Sequence, residues 1–183
     1  MSSTAGGAAA PFLDDGPGQV VVRPATDAEL DAAGAVVLAA YRADGLAGPR
    51  YLALVGDARA RARDAVVAVA VDASGQVLGS VTFALAGSPL AQVARDGQAE
   101  FRMLGVAPAA RGRGVGLSLV DWCLEQARAA GARDVVISSA TTMRAAHRLY
   151  ALRGFARRPE LDWSPEPGVE LWGFALALGA AGR

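Results

Sequence analysis

Residues 104–117, Leu-Gly-Val-Ala-Pro-Ala-Ala-Arg-Gly-Arg-Gly-Val-Gly-Leu, constrain this chain more than any other stretch. The apolar run over 99–106 predicts a strand that stops before Pro108. The helical spacing of Leu119, Val120, Cys123, Leu124 and Ala127 predicts an amphipathic helix over 115–130, ended by Gly131. Between strand and helix, Gly112, Gly114 and Gly116 alternate. Glycine reaches positive φ at little cost and lets a ligand approach the backbone. The first turn of a helix carries unpaired N–H groups and a partial positive charge. Together they make a site for a phosphate or pyrophosphate, and Arg111 and Arg113 can add charge-assisted hydrogen bonds. Taken alone, the same residues also read as a flexible basic turn before an ordinary helix.

Two rival phosphate motifs fail. A dinucleotide fingerprint needs a third glycine where Leu117 stands, and Asp134 precedes the next strand instead of ending it. A Walker-type loop needs a lysine, and all 18 basic residues are arginine. Charge placement favours a polyanion nonetheless. No acid falls between Glu100 and Asp121, where Arg102, Arg111 and Arg113 lie, and none between Asp134 and Glu160, where five arginines lie. The 18 acids cancel the bases overall, which argues against a general nucleic-acid binder. Single Cys and His residues, Cys123 and His147, exclude an internal disulfide and a Cys/His zinc cluster, so no metal is expected. No apolar run is long enough to span a membrane, and residues 1–18 read as a disordered tail without a secretory leader. A cytoplasmic setting follows by default.

The remaining pattern predicts one domain over 19–180. A first strand at 20–22 precedes a helix through Tyr41, opened by the capping-box pair Thr26 and Glu29. After a breaker-rich loop at 44–50, a second helix is predicted over about 51–63. A hairpin over 66–71 and 77–85 precedes the strand at 99–106. A strand at 135–139, a helix at 143–153 stopped by Gly154, a strand from Phe155 and a last strand at 169–178 complete the chain. Strands in a run, then alternating with helices, pack as a mixed α/β (α+β) sheet with helices on both faces.

Two blocks resemble one family. Arg111-Gly112-Arg113-Gly114-Val115-Gly116 fits Arg/Gln-x-x-Gly-x-Gly/Ala, the acetyl-CoA pyrophosphate motif of the GNAT superfamily of N-acetyltransferases. Ala146 to Phe155 is similar to that family's Ala-x-x-Leu-Tyr-x-x-x-Gly-Phe, at the right separation. The resemblance implies a mostly antiparallel sheet of six to seven strands whose central pair, about 99–106 and 135–140, splays apart. The pantetheine arm of acetyl-CoA would lie in that gap. It would pair with backbone groups of Leu104 and Val106 across Gly105, with the pyrophosphate on residues 111–116 and Ala146 nearby. Where many members carry an Asn, this chain has Thr141, Thr142 and Met143, and Thr142 is the expected substitute donor.

The resemblance also implies direct acetyl transfer to a primary amine. Tyr150, at the family's tyrosine position, is the expected acid for the departing thiolate, or else a core aromatic on a face shared with Met143 and Ala146. Glu100 is the expected base, or else an ion-pair partner of Arg102 on one strand face. Cys123 is expected to pack in the core, and His147 to lie at the surface or near cofactor phosphate. For the acceptor, Tyr41, Tyr51 and Trp163 are candidate pocket residues. Glu160, Asp162, Glu166 and Glu170 are either an acidic rim for a cationic amine or a solvated loop. The expected partners are acetyl-CoA and an amine acceptor, without nucleic acid or membrane, and a homodimer is among the expected assemblies. The rival class is a non-catalytic acyl-CoA sensor of the same fold.

Overall fold

The computed structural model describes residues 20–45 and 47–179. The tail expected at 1–18 lies outside the described residues. Strand β2 (Val66–Val71) shows why this sequence builds a layered sheet. Its valines 67, 69 and 71 face a cluster with Leu30 and Ala33, while Ala68 and Ala70 face one with Leu119 and Cys123. Side chains alternate along a strand, so a run that is apolar at every position is covered on both faces.

The helices supply that cover. On one side lie α1 (Leu30–Ala43), α2 (Pro49–Gly56) and α3 (Ala58–Arg61). On the other lie α4 (Val115–Ala129) and α5 (Arg144–Leu152), joined by the Arg153–Asp121 pair with Nη2–Oδ2 at 2.7 Å. The remaining strands are β1 (Val21–Pro24), β3 (Val77–Leu85), β4 (Gln98–Val106), β5 (Asp134–Ala140), β6 (Ala156–Arg157), β7 (Trp163–Glu166) and β8 (Val169–Ala177). They form one sheet in the order β1-β2-β3-β4-β5-β8-β6, with β7 on β8. Only β4 and β5 run parallel; every other pair is antiparallel.

Three details differ from the sequence expectation. The sheet has eight strands, because β7 adds a short strand to β8. The helix expected over 51–63 is two helices, since the Asp57 side chain accepts from the Ala60 N–H at 2.9 Å and starts a new one. The first turn after Thr26 is a 3-10 turn over Asp27–Glu29. There the Thr26 N–H donates to Glu29 Oε2 at 2.8 Å, and Arg23 grips the same carboxylate at 2.7 Å.

These bonds hold the Glu29 carboxyl at about 2, the Arg23 hydrogen bond contributing most and the Thr26 amide next. A depressed carboxylate adds stability above its ordinary range, and that stability is lost as pH falls through the folded value. Glu29→Gln is therefore expected to cost about 1 kcal/mol at pH 7. Denaturant titrations of parent and variant should converge as pH drops from 4.5 toward 2.

Candidate active site

The site begins where two strands part. β4 and β5 pair at Gln98–Asp134, Ala99–Val135 and Glu100–Val136, and no further. Beyond Val136, β5 remains paired with β8 up to Ala140, while β4 remains on β3 up to Val106. A bulge helps the strands separate. Ser80 pairs with Gly105 but Thr82 with Arg102, so β4 holds an extra residue, and Met103 sits at φ 51. A non-glycine residue in that region costs about 1 kcal/mol or more, held here by the surrounding pairing. Next to the bulge, α1 lies directly on β4: a Cβ on Gly105 would stand 2.8 Å from the Val37 Cα.

The gap between the strands is a cavity of about 480 Å³. Phe101 to Leu104 form one wall, Ser138 to Ala140 another, and Ala146, Leu149 and Tyr150 a third. Tyr41 and Tyr51, 6.0 Å apart between ring centroids, close one end with Trp163. The Trp163 indole N–H donates to Ser138 Oγ at 3.1 Å.

Beside this cavity lies the glycine loop. Gly112 and Gly114 stand at φ 76 and 79, and nothing lies within 4 Å of where a Cβ would project. The loop is open to a ligand as well as left-handed. Among the described residues, the N–H groups of 112–117 find no backbone acceptor, and the first to do so is Ser118, bonded to Gly114 at 3.0 Å. Val115 is buried beneath α4. A Cβ on Gly116 would stand 2.8 Å from Leu149 Cδ1, so the loop abuts a residue that lines the cavity. Arg111 turns away from the loop and forms a two-point ion pair with Asp44 at 2.9 Å, which ties the loop to the end of α1. Arg113 is exposed and makes no ion pair among the described residues.

Tyr150 stands in the cavity wall, only 6% exposed. Phe101, Phe155 and Phe174 hold its ring with centroids 5.7 to 5.9 Å away. Burial pushes its phenol well above the ordinary tyrosine range, and the adjacent Ser139 hydroxyl offsets part of that rise. The group therefore keeps its proton at neutral pH.

Glu100 is placed elsewhere than expected. It is fully buried and outside the cavity lining. Its Oε2 accepts from the backbone N–H groups of Gln92, Val93 and Ala94 at 2.9 to 3.0 Å. Its Oε1 lies 3.7 Å from Arg102 Nε. The carboxylate thus anchors the 92–94 loop beside Arg102, the arrangement expected of the structural alternative. Thr142 also falls outside the cavity lining, its side chain exposed and without a hydrogen bond among the described residues. His147 stacks between Trp172 and Phe174, with centroids at 5.4 and 5.0 Å, where burial lowers its pKa. Cys123 is buried in the core, and burial raises its thiol pKa. Of the four acids on the proposed rim, only Glu166 lines the cavity; Asp162 is taken by Arg157 at 2.7 Å and by the Gly173 N–H at 2.9 Å.

Sequence reasoning missed two residues. Arg102 lines the cavity with its side chain 10% exposed. Arg61 is 1% exposed, bonded through Nη1 to Thr82 Oγ1 and through Nη2 to the Val55 carbonyl at 2.8 Å. The alternation Arg59-Ala-Arg61-Ala-Arg63 held a signal, since alternate residues of a helix cannot all face water on one side. Among the described residues, no group of three or more His, Cys, Asp and Glu gathers as a metal site would need.

A strand pair that parts beside a glycine-opened helix is the geometry the two sequence blocks led us to expect, and sequence comparison agrees. The model of the acetyltransferase (GNAT) family matches residues 32–155, more than half of the chain. The chain belongs to the GNAT acetyltransferase family. A GNAT-family acetyltransferase from Staphylococcus aureus Mu50 superposes with a TM-score of 0.69 at 9% identity, covering 87% of this chain and 99% of that one. A GNAT acetyltransferase from Brucella melitensis, solved in complex with acetyl-CoA, gives 0.59 at 24% identity over 91% and 92%. The ribosomal-protein-alanine N-acetyltransferase of Brucella melitensis gives 0.61 at 23% identity over 85% and 98%. At these identities the likeness is one of fold. No curated protein sequence matches the chain significantly.

Proposed function

We propose that this protein moves an acetyl group from acetyl-CoA directly to a primary amine. The observation that carries the reading is the parting of β4 and β5 after Glu100 and Val136, which opens a cavity walled by Tyr150 beside the glycine loop. The unpaired edge of β4 around Leu104 and Val106 suits the amides of a pantetheine arm, as an added strand would. The free N–H groups of 112–117 suit its diphosphate. The relative from Brucella melitensis with bound acetyl-CoA supports the same co-substrate here.

The amine nitrogen attacks the thioester carbon and the C–S bond breaks. The departing sulfur takes the Tyr150 proton, and the phenolate recovers one through solvent from the attacking nitrogen, which loses it to become the neutral amide. Among the described residues, the cavity lining holds no histidine and only one carboxylate, Glu166. Only the neutral amine attacks, so kcat/KM is expected to rise with pH until the acceptor's own pKa is passed. Acceptors of different amine pKa should shift that limb one for one; a limb fixed across acceptors would reveal an ionising protein group instead. The reading itself is tested by a panel of primary amines with CoA release as the signal. Acetyl-CoA binding without release for any amine would favour a sensor.

A further inference from the structure

We propose, resting on the N-acetyltransferase reading, that the acceptor is an amino carboxylic acid, its carboxylate bound by Arg102. The inference comes from charge accounting at the cavity floor. Arg61 is buried, at 1% exposure, the Arg102 side chain is mostly covered, at 10%, and each influences the ionisation of Tyr41. While the exposed Asp57 acts on Arg61 from farther off, one carboxylate among the described residues, Glu100, comes within ion-pair distance of either, at 3.7 Å from Arg102 Nε. That carboxylate already serves three amide N–H groups, and Arg61 has no carboxylate within ion-pair distance among the described residues. Within ion-pair distance, the buried Arg61 and the mostly covered Arg102 thus have one buried anion between them. An uncompensated buried charge costs several kcal/mol, and the cavity is where a second anion can enter.

The donors are arranged to receive it. Arg102 Nη1 is held by the Leu90 carbonyl at 3.0 Å, while Nη2 makes no hydrogen bond among the described residues. The Tyr41 and Tyr51 hydroxyls make none either, and both rings line the same end of the cavity. A guanidinium fixed on one side with free donors on the other suits a planar carboxylate. Arg50 at the same cavity adds a further cation without an ion pair among the described residues. Against these stands Glu166 alone, so the lining has a cationic excess. Leu54, Met103, Pro165, Val169 and Leu171 make the rest of this region apolar. An amino acid with an apolar side chain fits better than a polyamine.

The test compares matched acceptors: phenylalanine, methionine and leucine against their carboxamides and their decarboxylated amines. The free acid is expected to be acetylated with kcat/KM at least about 100-fold above its amide, and Arg102→Met should erase that preference through KM while the acetyl-CoA KM stays put. Arg102→Lys should keep part of the preference, which guards against a Met variant that fails to fold. Equal or better use of amides or plain amines would overturn the proposal and leave N-acetyl transfer standing. If acetyl-CoA binds but no amine is acetylated, the enzymatic reading fails. The carboxylate site is then judged by calorimetry with CoA present. N-acetylphenylalanine binding at least tenfold more tightly than its amide supports the site, and equal binding overturns it.

Discussion

Tyr150→Phe is expected to lower kcat by about 10²- to 10⁴-fold while leaving acetyl-CoA affinity within about twofold. The substitution removes one oxygen and keeps the ring. Phe101, Phe155 and Phe174 would still pack around it, so the cavity wall stays in place. The acetyl-CoA site proposed on the β4 edge and the glycine loop does not include Tyr150. What is lost, under the proposed mechanism, is the donor for sulfur as the C–S bond breaks. Because burial raises the Tyr150 pKa, the phenol is fully protonated at neutral pH, and its loss should depress kcat at every pH up to that range. A transition-state donor lowers kcat and kcat/KM together, and a ground-state contact would raise KM alone. Stopped-flow thiol release with a saturating amine separates these outcomes. Unchanged kcat would make Tyr150 a wall residue.

What could be read in advance follows from the range of the forces involved. The loop at 111–116 was legible because positive φ and unpaired helix N–H groups are local properties, written in six consecutive residues. The two-sided burial of β2 was legible for the same reason. The orientation of Arg111 was not, because Asp44 lies 67 residues away and competes for its guanidinium. Arg61 falls in the stretch read as one helix over about 51–63. The break at Asp57 sends Arg59 to Asp31 at the surface and Arg61 inward to Thr82. β7 was hidden because Trp-Ser-Pro-Glu has no strand alternation, and its pairing with β8 sets its conformation. In each miss, a contact distant in sequence decided between two local readings.

Glu100 shows the same effect at larger cost, and its replacement should have the greatest effect on stability. Glu100→Ala is expected to destabilise the fold by about 3–5 kcal/mol, the range for breaking a buried ion pair on one side. Three amide N–H groups at 92–94 lose their acceptor, and Arg102 loses its only carboxylate contact among the described residues. Glu100→Gln keeps one acceptor oxygen in the same space, so about 1–3 kcal/mol is expected. Both effects are read from chemical denaturation. The kinetic expectation for the milder variant runs the other way. The carboxylate does not line the cavity: its Oε2 is committed to the loop, and its Oε1 lies beside Arg102 without a hydrogen bond among the described residues. Glu100→Gln should therefore retain the basic limb of the pH–rate profile, still set by the acceptor amine, while its stability falls. A variant as stable as the parent that loses that limb would restore Glu100 as the base.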